Sequence, residues 1–171
     1  MFWFAMGMLA KLSERRTDRM VNRYFSDLPA FLVKNPGLNN GYMIPQYTAA
    51  GLLGEIKILS HPSSVDSVST SANQEDPVSL AYFASKKAWQ VAKKLQYIIA
   101  IELMAAVQGL DFLKPLAPSS TTKKVYSMIR KEVPIVEDDR HFGPDIEYIF
   151  ELVREGDIVK TIEGLMGKMK F

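Results

Sequence analysis

The 171-residue sequence has no cysteine and only two histidines. The first absence excludes disulfides and thiolate metal sites. The histidines, His61 and His141, lie far apart, each in a loop-like segment, and a metal centre would need more ligands placed together. No glycine-rich phosphate loop, dinucleotide-binding fingerprint or HExxH motif occurs. No basic run stands out: Lys and Arg are scattered among acids, and the formal charge is only +2. Nothing therefore points to nucleic acid. The N-terminal MFWFAMGMLA is too short to span a bilayer, which takes about 20 apolar residues, and it lacks a basic leader and a cleavage site. No membrane partner is expected, and the chain reads as cytoplasmic. Alternating strand patterns are missing too.

What is present is helical periodicity. The apolar fraction of 47% suits a globular protein with a sizeable core. The pattern predicts helices over 2–23, 42–60, 77–109, 121–132 and 145–157, with a short apolar segment, LPAFLV, that should pack inward. In the second helix Pro45 fits the first turn, while Ala49, Ala50, Gly51 and Gly54 would let a neighbouring helix approach closely. The third has Tyr82, Trp89, Leu95, Ile99, Leu103 and Val107 at helical spacing. It would be roughly 50 Å long, longer than a domain of this size readily covers. That length suggests a bundle shared between chains. Within its most apolar run lies Glu102, whose burial requires a partner. The C-terminal KTIEGLMGKMKF is a short helix or a fraying end. The predicted fold is all-α, a long-helix bundle. Residues 1–112 read as its central segment and 113–171 as a helical tail packing on it.

The segment SANQEDPVS, residues 71–79, has two readings. Asn73 or Asp76 could cap the third helix, with Pro77 in its first turn and acids at its positive end. Alternatively, Gln74 and Glu75 are presented toward a cavity, where a carboxylate serves as a base or binds an ammonium group. Residue chemistry alone leaves both open.

Six stretches, taken in order, carry a resemblance: LSERR (12–16), LPAFL (28–32), PGLNNGYMIPQYTAA (36–50), HPSSVDSVSTSANQEDPVS (61–79), IELMAAVQGLDF (101–112) and DRHFGPDIE (139–147). Together they resemble the C-terminal portion of the aromatic amino-acid ammonia-lyases, the histidine ammonia-lyases most closely. The resemblance implies that Glu75 is the active-site glutamate of the QED motif, near the substrate amino group. It implies that Gln74 is a neighbour supporting the site, and that Met43 and Tyr47 line the substrate side-chain pocket. Pro77 replaces the usual His of QEDHVS, and Tyr47 replaces a small aliphatic residue. Both departures bear on which amino acid is accepted. The family's electrophile, a methylidene-imidazolone ring formed from an internal Ala-Ser-Gly, has no precursor here. The resemblance therefore implies a partner: a complementary N-terminal lyase chain supplying the ring, with an aromatic amino acid as substrate. The other expectation is a non-catalytic, self-associating helical module or homo-oligomer.

Overall fold

The computed structural model describes residues 2–65 and 67–169. Met1, Asp66, Lys170 and Phe171, which belong to the first helix, the 61–79 motif and the C-terminal segment of the sequence reading, lie outside the described residues.

Among the described residues seven α-helices follow one another: α1 (Phe2–Val21), α2 (Arg23–Ser26), α3 (Met43–Leu59), α4 (Ala81–Phe112), α5 (Ser120–Arg130), α6 (Gly143–Arg154) and α7 (Asp157–Met166). Two 3₁₀ turns, Ala30–Leu32 and Ser63–Val65, lie in the connections. No strand occurs among the described residues, so the all-α expectation holds.

Two helix boundaries moved for identifiable reasons. The first helix stops at Val21 because the Asn22 side chain accepts the Tyr24 N–H at 3.0 Å and caps the separate turn α2. Such local side-chain bonding competes with helix continuation. The long helix begins at Ala81, four residues after Pro77, and its N-cap position, Leu80, makes no side-chain cap. Neither Asn73 nor Asp76 caps it. Ser67 engages both backbone groups of Val78 (3.0 and 3.3 Å) and holds that residue out of the helix.

Helix α4 is the spine. Its Val91, Leu95, Ile98 and Ile101 pack with Ala10 of α1 and Ala49, Leu53 and Ile56 of α3. Further along, Ala100, Met104, Ala105 and Val107 pack with Val21, Leu32, Tyr42, Ile129, Ile149 and Phe150. By length and composition α4 could cross a membrane, but half of its most apolar window is buried in this packing. LPAFLV behaves as expected, with Leu32 and Val33 fully buried. Helix α7 forms in the C-terminal segment, separated from α6 by Gly156 in the left-handed region (φ 74°).

Two packing expectations are corrected. Tyr82 and Trp89 are 71% and 66% exposed rather than core. In this part of α4 the buried face runs through Val91 and Leu95 instead. Gly51 and Gly54 face open space, and of the small residues of α3 only Ala49 is fully buried.

Gly41 has a different status. It sits at φ +52°, where a Cβ would lie 2.6 Å from the Phe31 carbonyl oxygen and 2.7 Å from Val33 Cβ. Strain in the left-handed region and overpacking add, so Gly41→Ala is expected to destabilise by roughly 3 kcal/mol. Urea unfolding checks this; a midpoint equal to that of the parent would show that the loop relaxes freely.

Candidate functional site

The SANQEDPVS segment forms a tight reversal of the chain. Thr70 and Glu75 exchange backbone hydrogen bonds, Thr70 N–H to Glu75 O at 3.0 Å and Glu75 N–H to Thr70 O at 3.3 Å. Inside this pair the Gln74 N–H donates to Ser71 O at 3.1 Å. Ala72 and Asn73, the central residues, both have positive φ (53° and 66°), as in a type I′ turn. Asn tolerates that region, Ala less well. The Ser69 hydroxyl donates to Asn73 Oδ1 at 2.8 Å and stiffens the tip.

Gln74 and Glu75 are exposed on this turn. The Glu75 carboxylate has no hydrogen-bond or ion-pair partner among the described residues. It lies ahead of α4 rather than in its first turn, so the helix N-terminus does not set its surroundings. Met43 and Tyr47 stand four residues apart on α3, Met43 half-buried and Tyr47 71% exposed. Five cavities among the described residues, of about 370–570 Å³, are lined by other side chains than these four. The chain thus carries its candidate residues on two separate elements, with Tyr47, Gln74 and Glu75 exposed and Met43 half-buried.

Glu102 has the partners its burial required. It accepts a hydrogen bond from the Ser13 hydroxyl at 2.5 Å and pairs with Arg16 at 2.5 Å. Both partners belong to LSERR, which ties α1 to α4. Within the same motif Glu14 is buried, held by Arg15 and by the Gln46 side-chain amide at 3.0 Å. These contacts account for LSERR structurally. The two histidines also sit in loops: Lys87 Nζ donates to the His61 carbonyl, and His141 lies against Gly143 beside a cavity of about 400 Å³. No group of three metal-ligating side chains occurs among the described residues.

A buried polar hub near the C-terminal end of α4 was not identified from the sequence. Gln108 is fully buried, and its amide nitrogen donates to Leu32 O and Val136 O at 3.1 and 2.9 Å. Its oxygen accepts from Val136 N–H and Arg130 Nη2 at 3.2 and 3.1 Å. Arg130 in turn pairs with Asp111 at 2.6 Å. The only signal available was a Gln and an Asp inside the apolar run AAVQGLDF. A second clamp is similarly quiet in sequence: Asp139 accepts the backbone N–H groups of Asn40 and Gly41 at 2.8 and 2.7 Å, fixing the loop that leads into α3.

The hub and the clamp set the acid response. Burial pushes the Asp111 carboxyl up, but hydrogen bonds from Lys114, Tyr126 and Arg130 outweigh it and hold it below the usual range. The Asn40 and Gly41 N–H groups lower Asp139. A depressed folded-state pKa gives stability that is present above the unfolded value and lost as pH falls through the folded one. The urea midpoint is therefore expected to drop steeply below about pH 4. Asp111→Asn should flatten that drop; an unchanged pH profile in the variant would contradict it.

The fold and the exposed QED turn together define a class, the helical bundle shared by ammonia-lyases and aminomutases. The structure superposes on histidine ammonia-lyase from Trypanosoma cruzi with a TM-score of 0.87 and 46% identity, covering 95% of this chain and 34% of that one. It also superposes on tyrosine aminomutase from Streptomyces globisporus with a TM-score of 0.89 and 31% identity, covering 94% and 31%. A family model described as aromatic amino acid lyase matches residues 1–131. The chain belongs to the aromatic amino acid lyase family. It is 45% identical over 158 residues to histidine ammonia-lyase of Caenorhabditis elegans, covering 92% of this chain and 23% of that protein. It is 49% identical over 152 residues to histidine ammonia-lyase of Rhodospirillum rubrum, covering 89% and 30%. The chain spans between 23% and 33% of the length of the curated relatives it matches.

Proposed function

We propose that this chain is the C-terminal part of a lyase that eliminates ammonia from histidine or another aromatic amino acid, and that it acts with a complementary N-terminal part carried on another chain. The observation that carries this reading is Glu75: a carboxylate without a partner, held on a backbone-tied turn, in a chain closely similar to histidine ammonia-lyases. Among the described residues the Glu75 side chain makes no contact that gives it a structural task. Its chemistry suits an ammonium group or a proton in transfer.

The 171 residues contain no Ala-Ser-Gly. The methylidene-imidazolone ring has no precursor here, so its electrophilic chemistry falls to the complementary part, and no step through it is assigned to this chain. What the present residues contribute is narrower. Glu75 holds or receives a proton near the substrate amino group, Gln74 supports it, and Met43 and Tyr47 meet the substrate side chain. Elimination requires electrophile and base to be held together, which is why the two parts must assemble.

An apolar stripe supports assembly. Phe4, Met8 and Leu12 recur every four residues along α1 and are 46%, 75% and 52% exposed. A surface of that kind asks for cover, and a complementary chain or a second copy would provide it. Co-expression of this chain with an N-terminal lyase part carrying Ala-Ser-Gly tests the reading. Co-purification with ammonia release from histidine supports it; two chains that purify apart and release no ammonia overturn it.

A further inference from the structure

The loop bearing Glu75 is closed at its base by the Ser67 side chain. Ser67 Oγ accepts the Val78 N–H at 3.0 Å and donates to the Val78 carbonyl at 3.3 Å. It therefore closes an eleven-residue span from both sides at once. Above it the Thr70–Glu75 backbone pair forms a second rung, and the reversal sits on top. Below it, Ser67, Pro77 and Val78 line a cavity of about 370 Å³ together with Trp3 of α1 and Ala81 and Ala84 of α4. The two rungs make a short ladder standing on the junction of α1 and α4.

We infer that Ser67 is a positioning residue for Glu75: its hydroxyl clamps the base of the ladder and so fixes the height and direction of the carboxylate. The inference rests on the lyase reading for its catalytic consequence, though not for the clamp itself. Without Ser67 the Thr70–Glu75 rung is a solvent-exposed pair with nothing below it. Isolated two-strand ladders of that size are marginal in water. The backbone would then sample many orientations of Glu75, and a misplaced carboxylate loses proton transfer much more than it loses substrate contact.

Two readouts separate the inference from the lyase reading. In the full chain alone, amide hydrogen exchange at Val78 and Glu75 should speed up about five- to tenfold in Ser67→Ala, the equivalent of one hydrogen bond. Ser67→Thr, which keeps the hydroxyl, should restore the parent rates. Equal rates in the parent and Ser67→Ala overturn the clamp. In the assembled two-part enzyme, Ser67→Ala should lower kcat at least tenfold with KM changed less than twofold, and Ser67→Thr should recover kcat. An unchanged kcat, or a loss confined to KM, overturns the positioning role. An inactive parent assembly fails the lyase reading itself and removes the catalytic consequence, while the exchange rates still decide the clamp.

Discussion

Gln108→Ala is expected to lower folding stability by about 4 kcal/mol, a large share of the 5–15 kcal/mol typical of a domain. Two effects add. Truncating a large buried side chain leaves a cavity, with a cost in the range of about 2–5 kcal/mol for comparable core residues. It also strips partners from the Leu32 and Val136 carbonyls and the Val136 N–H, and buried groups left unsatisfied cost about 1–3 kcal/mol each. Some relaxation and water entry reduce the sum. The site lies where the segments around Leu32 and Val136 meet α4, so the change should loosen both at once. Chemical denaturation checks it: the urea midpoint should fall sharply, and a change under about 0.5 kcal/mol, ordinary for a surface site, would contradict the hub.

Glu75→Gln should behave in the opposite way. Glu75 is exposed and its carboxylate has no partner among the described residues. Folding stability should stay within about 0.5 kcal/mol of the parent. In the assembled enzyme, however, kcat should fall by about a hundredfold or more, the usual scale for losing a proton-transfer group. The amide keeps the shape and removes both the charge and the proton-accepting capacity. Stability separates the two roles: a residue that merely caps or packs would shift the unfolding midpoint and leave turnover alone. Parent-like turnover in Glu75→Gln would remove Glu75 from the chemistry.

The two variants illustrate what could be read in the sequence. The periodic pattern of α4 was legible in part: of the residues that carried it, Leu95 and Val107 are buried and Ile99 and Leu103 half-buried, while the most buried face runs through Ile98, Ile101 and Met104. Trp89 obeyed the same spacing and is still 66% exposed, because the buried face of α4 there runs through Val91 and Leu95. The α4 start was misplaced because Asp76-Pro77 has the residue types of a helix entry, whereas a hydroxyl eleven residues away at Ser67 decides the matter. Gln108, Asp111 and Arg130 were hidden for the same reason, their partners being distant in sequence. The QED segment stands out by its residue types, but only the resemblance to a family assigns its residues a role. Residue types alone left both a cap and a site open, with the cap favoured, and the structure removes the cap.

The central claim is that this chain completes a lyase site rather than containing one. The most direct test is ammonia release from histidine by three samples: this chain, an N-terminal part carrying Ala-Ser-Gly, and the two co-expressed. Neither part alone should release ammonia, and the assembled pair should release it and show the ring's absorbance. An assembled pair that shows the ring absorbance and releases no ammonia from histidine or any other aromatic amino acid, or a chain that releases ammonia by itself, would contradict that claim.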